Sequence, residues 1–216
     1  MGSKTPKQFL ELHGLPLLAH TLRAFEAADS VSAVIVVAPA AELPSCQCDI
    51  VERHGFKKVR KLVPGGEERQ DSVRHGVESV DDQYDVIVVH DAVRPFLTPA
   101  MIDEVVEKAR AHRAAIVAMP MRDTVKRIGA SGLIEETVDR RPLWLAQTPQ
   151  AFERVLLQEA HRKAHLDRYR ATDDAQLVER LGVPVAIVEG SSENIKVTRP
   201  EDLAMGEAIL AARKAH

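Results

Sequence analysis

The chain has 216 residues, of which 45% are hydrophobic, and its formal net charge is -3 with a pI near 6.3. That length suits one domain with a sizeable core, so we expect a single domain over residues 1–216. The charge gives no basic field for nucleic acid or an anionic membrane surface, and no apolar run approaches the roughly 20 residues of a membrane span.

The only two cysteines, Cys46 and Cys48, form a C-x-C pair. This spacing is wrong for a zinc knuckle and too close for an easy mutual disulfide. We therefore expect free thiols in a loop and a protein of the reducing cytoplasm.

Apolar runs and helical periodicity alternate along the chain. The predicted strands are Val31–Val37, Val59–Val63, Asp85–Val89, Ala115–Met119 and Val185–Val188. The predicted helices begin at about Pro16 and after Gly66, and further ones cover Thr98–His112, Phe152–Leu166, Asp173–Leu181 and Pro200–Ala215. The first half of the segment 40–55 is expected to be an irregular loop. This alternation predicts a Rossmann-like, doubly wound α/β fold with a mainly parallel sheet.

A glycine turn, Gly65–Gly66, joins the second predicted strand to a helix. Backbone N–H groups at such a turn can cradle an anion or hydrogen-bond a nucleobase, because glycine allows close approach and the helix start is electropositive. The alternative is an ordinary strand-to-helix turn without a ligand.

The central strand ends in His90–Pro95, which contains Asp91 and Arg94. The carboxyl end of such a strand is where open α/β sheets bind ligands. Asp91 can hold a divalent metal and Arg94 can grip phosphate, so the pair indicates a metal-assisted site for a phosphorylated substrate. The alternative is a structural ion pair. His90 is expected to be packed or hydrogen-bonded and not a ligand.

A β-hairpin is predicted where Asp123–Ile128 and Leu133–Arg140 flank Gly129–Gly132. It has too few large apolar residues to pack against its own core, and an isolated hairpin is marginal in water. We therefore expect a protruding arm, at about 122–142, that pairs with a second subunit.

Eight stretches together resemble one family, the 2-C-methyl-D-erythritol 4-phosphate cytidylyltransferases. They are Pro6–Leu10, Gly65–Ser72, His90–Pro95, Arg122–Thr124, Thr137–Arg140, Thr148–Gln150, Thr172–Ala175 and Asn194–Asp202. The resemblance covers nearly the whole chain in the family's order. It implies transfer of CMP from CTP to methylerythritol phosphate, with release of pyrophosphate, in non-mevalonate isoprenoid biosynthesis.

The resemblance also implies roles for individual residues. Lys7 and Lys196 match the family's two catalytic lysines. The CTP-binding residues would be Gly66, Glu67, Ser72 and Ala92, and the acceptor-binding residues would be Asp91, Arg94, Thr124, Arg140 and Thr172. Asp91 would also lie near Mg²⁺. In a homodimer, Thr124 and Arg140 on the arm would reach the site of the neighbouring subunit.

The chain departs from the family pattern at its start. The family opens with a strand and a glycine-rich turn that wraps the CTP phosphates, and the given sequence starts at what resembles the end of that turn. Either upstream residues are missing from this sequence, or the nucleotide site is defective because it lacks this phosphate-binding turn. The missing turn leaves a noncatalytic nucleotide-binding protein open as an alternative. A cytidylyltransferase for another polyol phosphate, such as ribitol 5-phosphate, also stays open, because the CTP site and fold would be shared.

Overall fold

The computed structural model describes residues 7–214. The sequence predicts a polar loop over residues 1–8, of which residues 1–6 lie outside this range, as does the predicted end of the last helix at Ala215. Within it, none of the helices is both long enough and apolar enough to cross a bilayer.

The described residues form strands of two to ten residues. In chain order they are β1 Glu11–Leu12, β2 Leu15–Pro16, β3 Val34–Ala38, β4 Val59–Pro64, β5 Val86–Val89, β6 Ala114–Pro120, β7 Val125–Ile128, β8 Ile134–Val138, β9 Trp144–Glu153 and β10 Ala186–Glu189. The five predicted strands are thus confirmed, with their ends shifted by a few residues.

The helices fall largely where the periodicity predicts them. They are α1 Leu17–Ala27, α2 Leu43–Ser45, α3 Arg69–Glu78, α4 Pro99–His112, α5 Arg154–Leu166, α6 Asp174–Glu179 and α7 Pro200–Lys214. A threonine before a proline at a helix start predicts a cap at Thr98, and the structure confirms it, since the Thr98 hydroxyl accepts from the Met101 N–H at 3.2 Å.

The segment 40–52 corrects one expectation. Instead of an irregular loop it is helical throughout: a 3₁₀ turn at Ala40–Glu42 leads into α2, and a π-helical stretch follows at Cys46–Glu52. Cys46 is fully buried in the core cluster around α1 and β3, whereas Cys48 is exposed, and both are free thiols. Pro44 lies in the first turn of α2, where proline is tolerated, and Cys46, Ile50 and Val51 of the π-helical stretch are buried in the core.

The main sheet has the strand order β10-β6-β9-β5. The expectation of a mainly parallel sheet holds with one exception: β10 is parallel to β6, and because β9 is antiparallel to both β6 and β5, three of the four strands run in one direction and β9 alone runs against them. The reason is the connection: β6 and β9 are the two sides of one long hairpin, with Pro120 paired to Trp144 where the arm begins. Strands joined by a hairpin without a crossover helix must run in opposite directions.

Helices cover both faces of this sheet. On one face Ile87, Ile116 and Phe152 pack with Leu157 of α5, in a cluster that also includes α6. On the other face Val117 and its neighbours pack with α4. Successive residues of each strand face opposite layers, and both layers are apolar, which is why the strands are continuous hydrophobic runs. The α/β class is confirmed.

A separate parallel pair, β3 and β4, lies beside the main sheet and packs against α1. Arg69, which follows β4 at the start of α3, contacts Asp91, which follows β5. The carboxyl ends of β3, β4 and β5 therefore meet at the same edge of the fold, which is the edge that the sequence predicts as the site.

The predicted hairpin is confirmed as β7 paired antiparallel with β8. Its large apolar residues are exposed: Ile128 by 54%, Leu133 by 70% and Ile134 by 62%. The arm therefore packs little against its own chain.

Candidate active site

The site is built around the carboxylate of Asp91, two residues beyond the end of β5. Three cations surround it: Arg69 Nε lies 3.1 Å from Oδ1, Lys196 Nζ lies 2.9 Å from Oδ2, and Arg94 Nε lies 3.7 Å from Oδ2. The Asp91 side chain is 14% exposed. A partly buried carboxylate thus holds three cations at one strand end, two of them from distant parts of the chain.

Arg69 is held by carboxylates on two sides. Its Nη1 also lies 2.9 Å from Oδ2 of Asp174, which is 1% exposed at the start of α6. The other Asp174 oxygen lies 3.0 Å from Nε2 of His161, which is 2% exposed on α5. Burial would lower the pKa of Arg69, but Asp174 and Asp91 outweigh it and raise the pKa, so Arg69 stays a cation.

Lys196 reaches Asp91 because the segment on either side of it is anchored. Before it, buried Asn194 donates to the Thr148 carbonyl at 2.9 Å, and its own carbonyl accepts from Arg94 Nη1 at 2.8 Å. After it, the Val197 N–H donates to the Val93 carbonyl at 2.8 Å. These bonds tie residues 194–197 to the strand end and fix where the lysine starts.

The cations decide the protonation state of Asp91. Burial alone would raise its pKa, but the charges of Arg69 and Lys196, together with their hydrogen bonds, lower the pKa to about 2. Asp91 is therefore a carboxylate at neutral pH. Because the folded-state pKa is depressed, the cluster stabilises the fold above about pH 4, and this contribution is lost as the pH falls through about 2.

His90 behaves as predicted for a packed histidine. Its Nε2 is 3.1 Å from the Arg94 carbonyl, and its ring meets Phe25 edge-on at 5.5 Å. Burial lowers the pKa of His90 to about 4, so the ring is neutral at physiological pH.

The glycine turn leads directly into α3. The Gly66 N–H donates to Ser72 Oγ at 3.0 Å, and the Ser72 hydroxyl donates to the Glu68 carbonyl at 3.1 Å. A Cβ on Gly66 would lie 2.5 Å from Cβ of Asp71, so the tight turn requires glycine there. Glu67 is exposed. The Gly66 N–H is therefore already bonded within the turn. The sequence had suggested that N–H groups of this turn could bind a ligand.

A cavity of about 650 Å³ borders the Asp91 cluster. The residues of the site that line it are Gln8, Arg69, Ser72, Asp91, Ala92 and Lys196. Ala92 is fixed by its carbonyl, which accepts from the Thr21 hydroxyl at 2.9 Å. Lys7 precedes Gln8 in a short 3₁₀ turn and is exposed. Of the nucleotide-binding and catalytic candidates, Ser72, Ala92 and Lys196 thus line one cavity and Lys7 adjoins it through Gln8, whereas Gly66 and Glu67 do not line it.

The remaining candidates are not at this cavity within one chain. Thr124 and Arg140 are exposed at the base of the arm, where the Arg140 guanidinium donates to the Arg122 carbonyl. Thr172 is exposed just before α6, and its N–H donates to the Gln176 side chain at 2.8 Å. Asp173, and not Thr172, caps α6 by accepting from the Gln176 N–H.

The sequence missed the bridge made by Arg69, Asp174 and His161. Arg69 and Asp174 both occur in stretches that carry the resemblance, but they are 105 residues apart, and nothing in their spacing pairs them. The spacing of these residues carries no signal for the bridge, which becomes visible only once the burial of Asp174 and His161 is known, because a buried charge needs a partner.

The side chains around Asp91 limit how a metal ion can be coordinated there. Within residues 7–214, no three His, Cys, Asp or Glu side chains are grouped so as to hold one ion. Mg²⁺ commonly takes only one or two protein carboxylates and completes its shell with water and substrate phosphates. The ionised Asp91 carboxylate lies at the cavity wall and fits the role of such a single protein ligand. The described residues around it do not fit a metal site made of protein ligands alone.

Comparison with known proteins gives one consistent result. Residues 1–212 match the family model described as 2-C-methyl-D-erythritol 4-phosphate cytidylyltransferase. The chain is 50% identical to the protein of that name from Pelotomaculum thermopropionicum, over 99% of this chain and 90% of that one. It is 47% identical to the one from Geobacter metallireducens, over 97% and 91%.

Solved structures agree with the sequence matches. The crystal structure of 4-diphosphocytidyl-2C-methyl-D-erythritol synthase from Anaerococcus prevotii superposes with a TM-score of 0.88 at 29% identity, covering 97% of this chain and 92% of that one. The cytidylyltransferase from Thermus thermophilus gives 0.81 at 37%, covering 95% and 94%. The predicted resemblance is confirmed: the chain belongs to the 2-C-methyl-D-erythritol 4-phosphate cytidylyltransferase family.

Proposed function

We propose that this protein is a cytidylyltransferase that transfers CMP from CTP to 2-C-methyl-D-erythritol 4-phosphate and releases pyrophosphate, in non-mevalonate isoprenoid biosynthesis. The observation that carries the proposal is the cluster of Arg69, Arg94 and Lys196 around Asp91, beside a cavity, in a chain of this family. Cations gathered at one strand end suit a reaction between two phosphorylated substrates.

The acceptor needs no enzymatic base. A phosphate monoester has a second pKa of about 6, so at neutral pH it is already a dianionic nucleophile. Asp91 and His90, with pKa values of about 2 and 4, are not poised to exchange protons near neutral pH. The barrier is instead electrostatic, since one polyanion must approach the α-phosphate of another and the crowded phosphorus centre must be stabilised.

Lys7 and Lys196 supply that stabilisation from the two ends of the chain. The anchors around Lys196 support this role, because they fix the backbone from which the lysine extends, so that only its side chain has to reorient toward the substrates. Lys196 pairs with Asp91 here, and its flexible stem lets the ammonium turn to a phosphate. Lys7 lies next to Gln8, which lines the same cavity.

Four residues bind CTP: Gly66, Glu67, Ser72 and Ala92. Ser72 and Ala92 line the cavity, and the Gly66 turn allows a base to approach the backbone closely. Asp91, Arg94 and Thr172 bind the acceptor, although Thr172 is exposed just before α6 and does not line the cavity of its own chain. Asp91 would hold Mg²⁺, which when bound screens the phosphate charges.

The active form is a homodimer in which Thr124 and Arg140 of one arm complete the site of the other subunit. Two observations support it: both residues lie away from the cavity of their own chain, and the arm exposes Ile128, Leu133 and Ile134. An exposed apolar patch on a protruding hairpin is typical of an interaction surface. A single domain in the cytoplasm completes the proposal, and the free thiols Cys46 and Cys48 fit a reducing compartment.

The acceptor is the first test. With CTP and Mg²⁺, we expect pyrophosphate release to be faster with methylerythritol phosphate than with ribitol 5-phosphate at equal concentrations, measured by a coupled phosphate assay. Faster turnover with ribitol phosphate would overturn the proposed acceptor. CTP binding by calorimetry without turnover on either acceptor would overturn the enzymatic function.

Replacing Lys196 with alanine tests the charge role. We expect Lys196→Ala to lower kcat by about 10²–10³-fold, the loss typical of one preorganised electrostatic donor, with the circular dichroism spectrum unchanged. Lys108→Ala is the matched control, because Lys108 is an exposed lysine on α4 outside the cavity. Near-normal turnover of the Lys196 variant would contradict the role.

Subunit mixing tests the arm. A mixed dimer of Arg140→Ala and Lys7→Ala subunits has one site in which both residues are intact. Random assortment at equal ratio then predicts recovery to about a quarter of wild-type activity. Mixing Lys7→Ala with Lys196→Ala is the control and should recover nothing, since both residues serve their own chain's site. No recovery in the first mixture at any ratio argues that each site is built within one chain.

A further inference from the structure

We propose that His161 of α5 is a positioning residue that fixes the orientation of the Asp91 carboxylate from the far side of the site. It acts through two intervening side chains, Asp174 and Arg69. The kinetic consequence rests on the proposed function, whereas the contacts themselves do not. His161 does not line the cavity, so any effect that it has on the reaction passes through its neighbours.

Four polar side chains form a continuous line of contacts that joins α5, α6 and α3 to the end of β5. His161 Nε2 lies 3.0 Å from Asp174 Oδ1, and the other Asp174 oxygen lies 2.9 Å from Arg69 Nη1. Arg69 Nε then lies 3.1 Å from Asp91 Oδ1. At the inner end of the line, the side chain of His161 is 2% exposed and that of Asp174 is 1% exposed. Water therefore cannot replace the contact between them.

Each contact in this line fixes a torsion angle that would otherwise be loose. The outermost torsion of an aspartate is broad, so Asp174 needs partners on both oxygens to hold the plane of its carboxylate. With Asp174 held, Arg69 is bonded through both Nε and Nη1, and its planar guanidinium is held in one orientation. Asp91 Oδ1 is thereby occupied, which leaves Asp91 Oδ2 directed at Lys196.

The backbone around Asp174 is fixed independently. Gln150 of β9, which is buried, donates to Asp173 Oδ2 at 2.9 Å and accepts from the Ala175 N–H at 3.2 Å. Since the main chain on both sides of Asp174 is held, the rotation of its carboxylate is what remains to be set. His161 is the side chain that sets it from the core.

The chemistry of this position requires a hydrogen-bond donor and not an apolar side chain. A carboxylate oxygen only accepts hydrogen bonds, so Nε2 of His161 carries the proton that meets Asp174. His161 Nδ1 is buried and has no hydrogen-bond partner among the described residues. A proton on Nδ1 would be a buried donor without an acceptor, which costs free energy, so the geometry favours the tautomer with Nδ1 unprotonated. An apolar side chain would leave the inner Asp174 oxygen unpaired.

The tautomer of His161 and its hold on Arg69 are tested without catalysis. In ¹⁵N NMR of the whole chain at neutral pH, we expect His161 to be protonated at Nε2 alone. We expect the Arg69 Nε–H to exchange with solvent at least about tenfold faster in His161→Leu than in the wild type, because the Asp174 carboxylate can then rotate. Protonation of His161 at Nδ1, or unchanged Arg69 exchange in the variant, would overturn the proposal.

Turnover with CTP and methylerythritol phosphate tests the consequence for the reaction. We expect His161→Leu to lower kcat by about 10–100-fold, the range typical of partners that orient metal ligands, with KM for CTP little changed. His161→Gln keeps an N–H donor at similar reach and should recover most of the activity. An equal loss in both variants would mean that the hydrogen bond is not what matters, and would overturn the proposal.

Two further variants of α5 separate positioning from stability. Leu157→Ala removes a fully buried apolar side chain outside the line of contacts and destabilises the fold, yet its kcat below its melting temperature should stay near the wild-type value. His165→Leu is the matched histidine control, because His165 is exposed one turn later. A loss of kcat in Leu157→Ala as large as in His161→Leu would overturn the proposal. If the wild type itself turns over neither acceptor, the proposed function fails, and the Arg69 exchange alone decides on the positioning role.

Discussion

The ion pairs between the Asp91 carboxylate and three cations are the interactions on which the rest of the site depends. The carboxylate holds three cations that reach it from α3, from its own strand end and from the segment before α7. Without this negative charge, Arg69, Arg94 and Lys196 would repel one another in a confined space. The carboxylate therefore makes it possible to gather positive charge at this strand end, where two phosphorylated substrates meet in the proposed reaction.

The fold around Asp91 serves this arrangement. Buried Asp174 holds Arg69 from behind, and His161 holds Asp174, so the guanidinium is fixed by two helices besides its own. Asn194 and Val197 fix the backbone on either side of Lys196. Breaking one of these buried contacts would leave an uncompensated charge, which is costlier than losing an exposed ion pair.

The sequence predicted the parts of the molecule that local pattern controls. The strand ending at Val89, the cap at Thr98, the Gly65–Gly66 turn and the hairpin all follow from residue types at short spacing. The sequence did not predict the direction of β9. The arm separates β6 from β9 in the chain, so their pairing as one hairpin is not visible from short spacing. Nor did the sequence predict the Arg69–Asp174 bridge, which depends on tertiary packing between distant helices.

Among the site residues, the sequence identified Asp91, Arg94 and Lys196, which the structure brings together. It could not show how they are held, since the anchor at Asn194 is a buried amide whose partners, Gln147 and Thr148, are far away in sequence. Polar residues that look alike in a sequence differ in burial, and burial decides which of them organise a site.

The ionisation of Asp91 tests the central claim most directly. The carboxyl carbon of Asp91, followed by ¹³C NMR in the folded protein as the pH is lowered from about 7 to about 3, should keep the chemical shift of a carboxylate, because the surrounding cations hold the pKa at about 2. A titration midpoint near the ordinary value of 3.8 would contradict the account, since it would mean that the three cations do not act on this carboxylate.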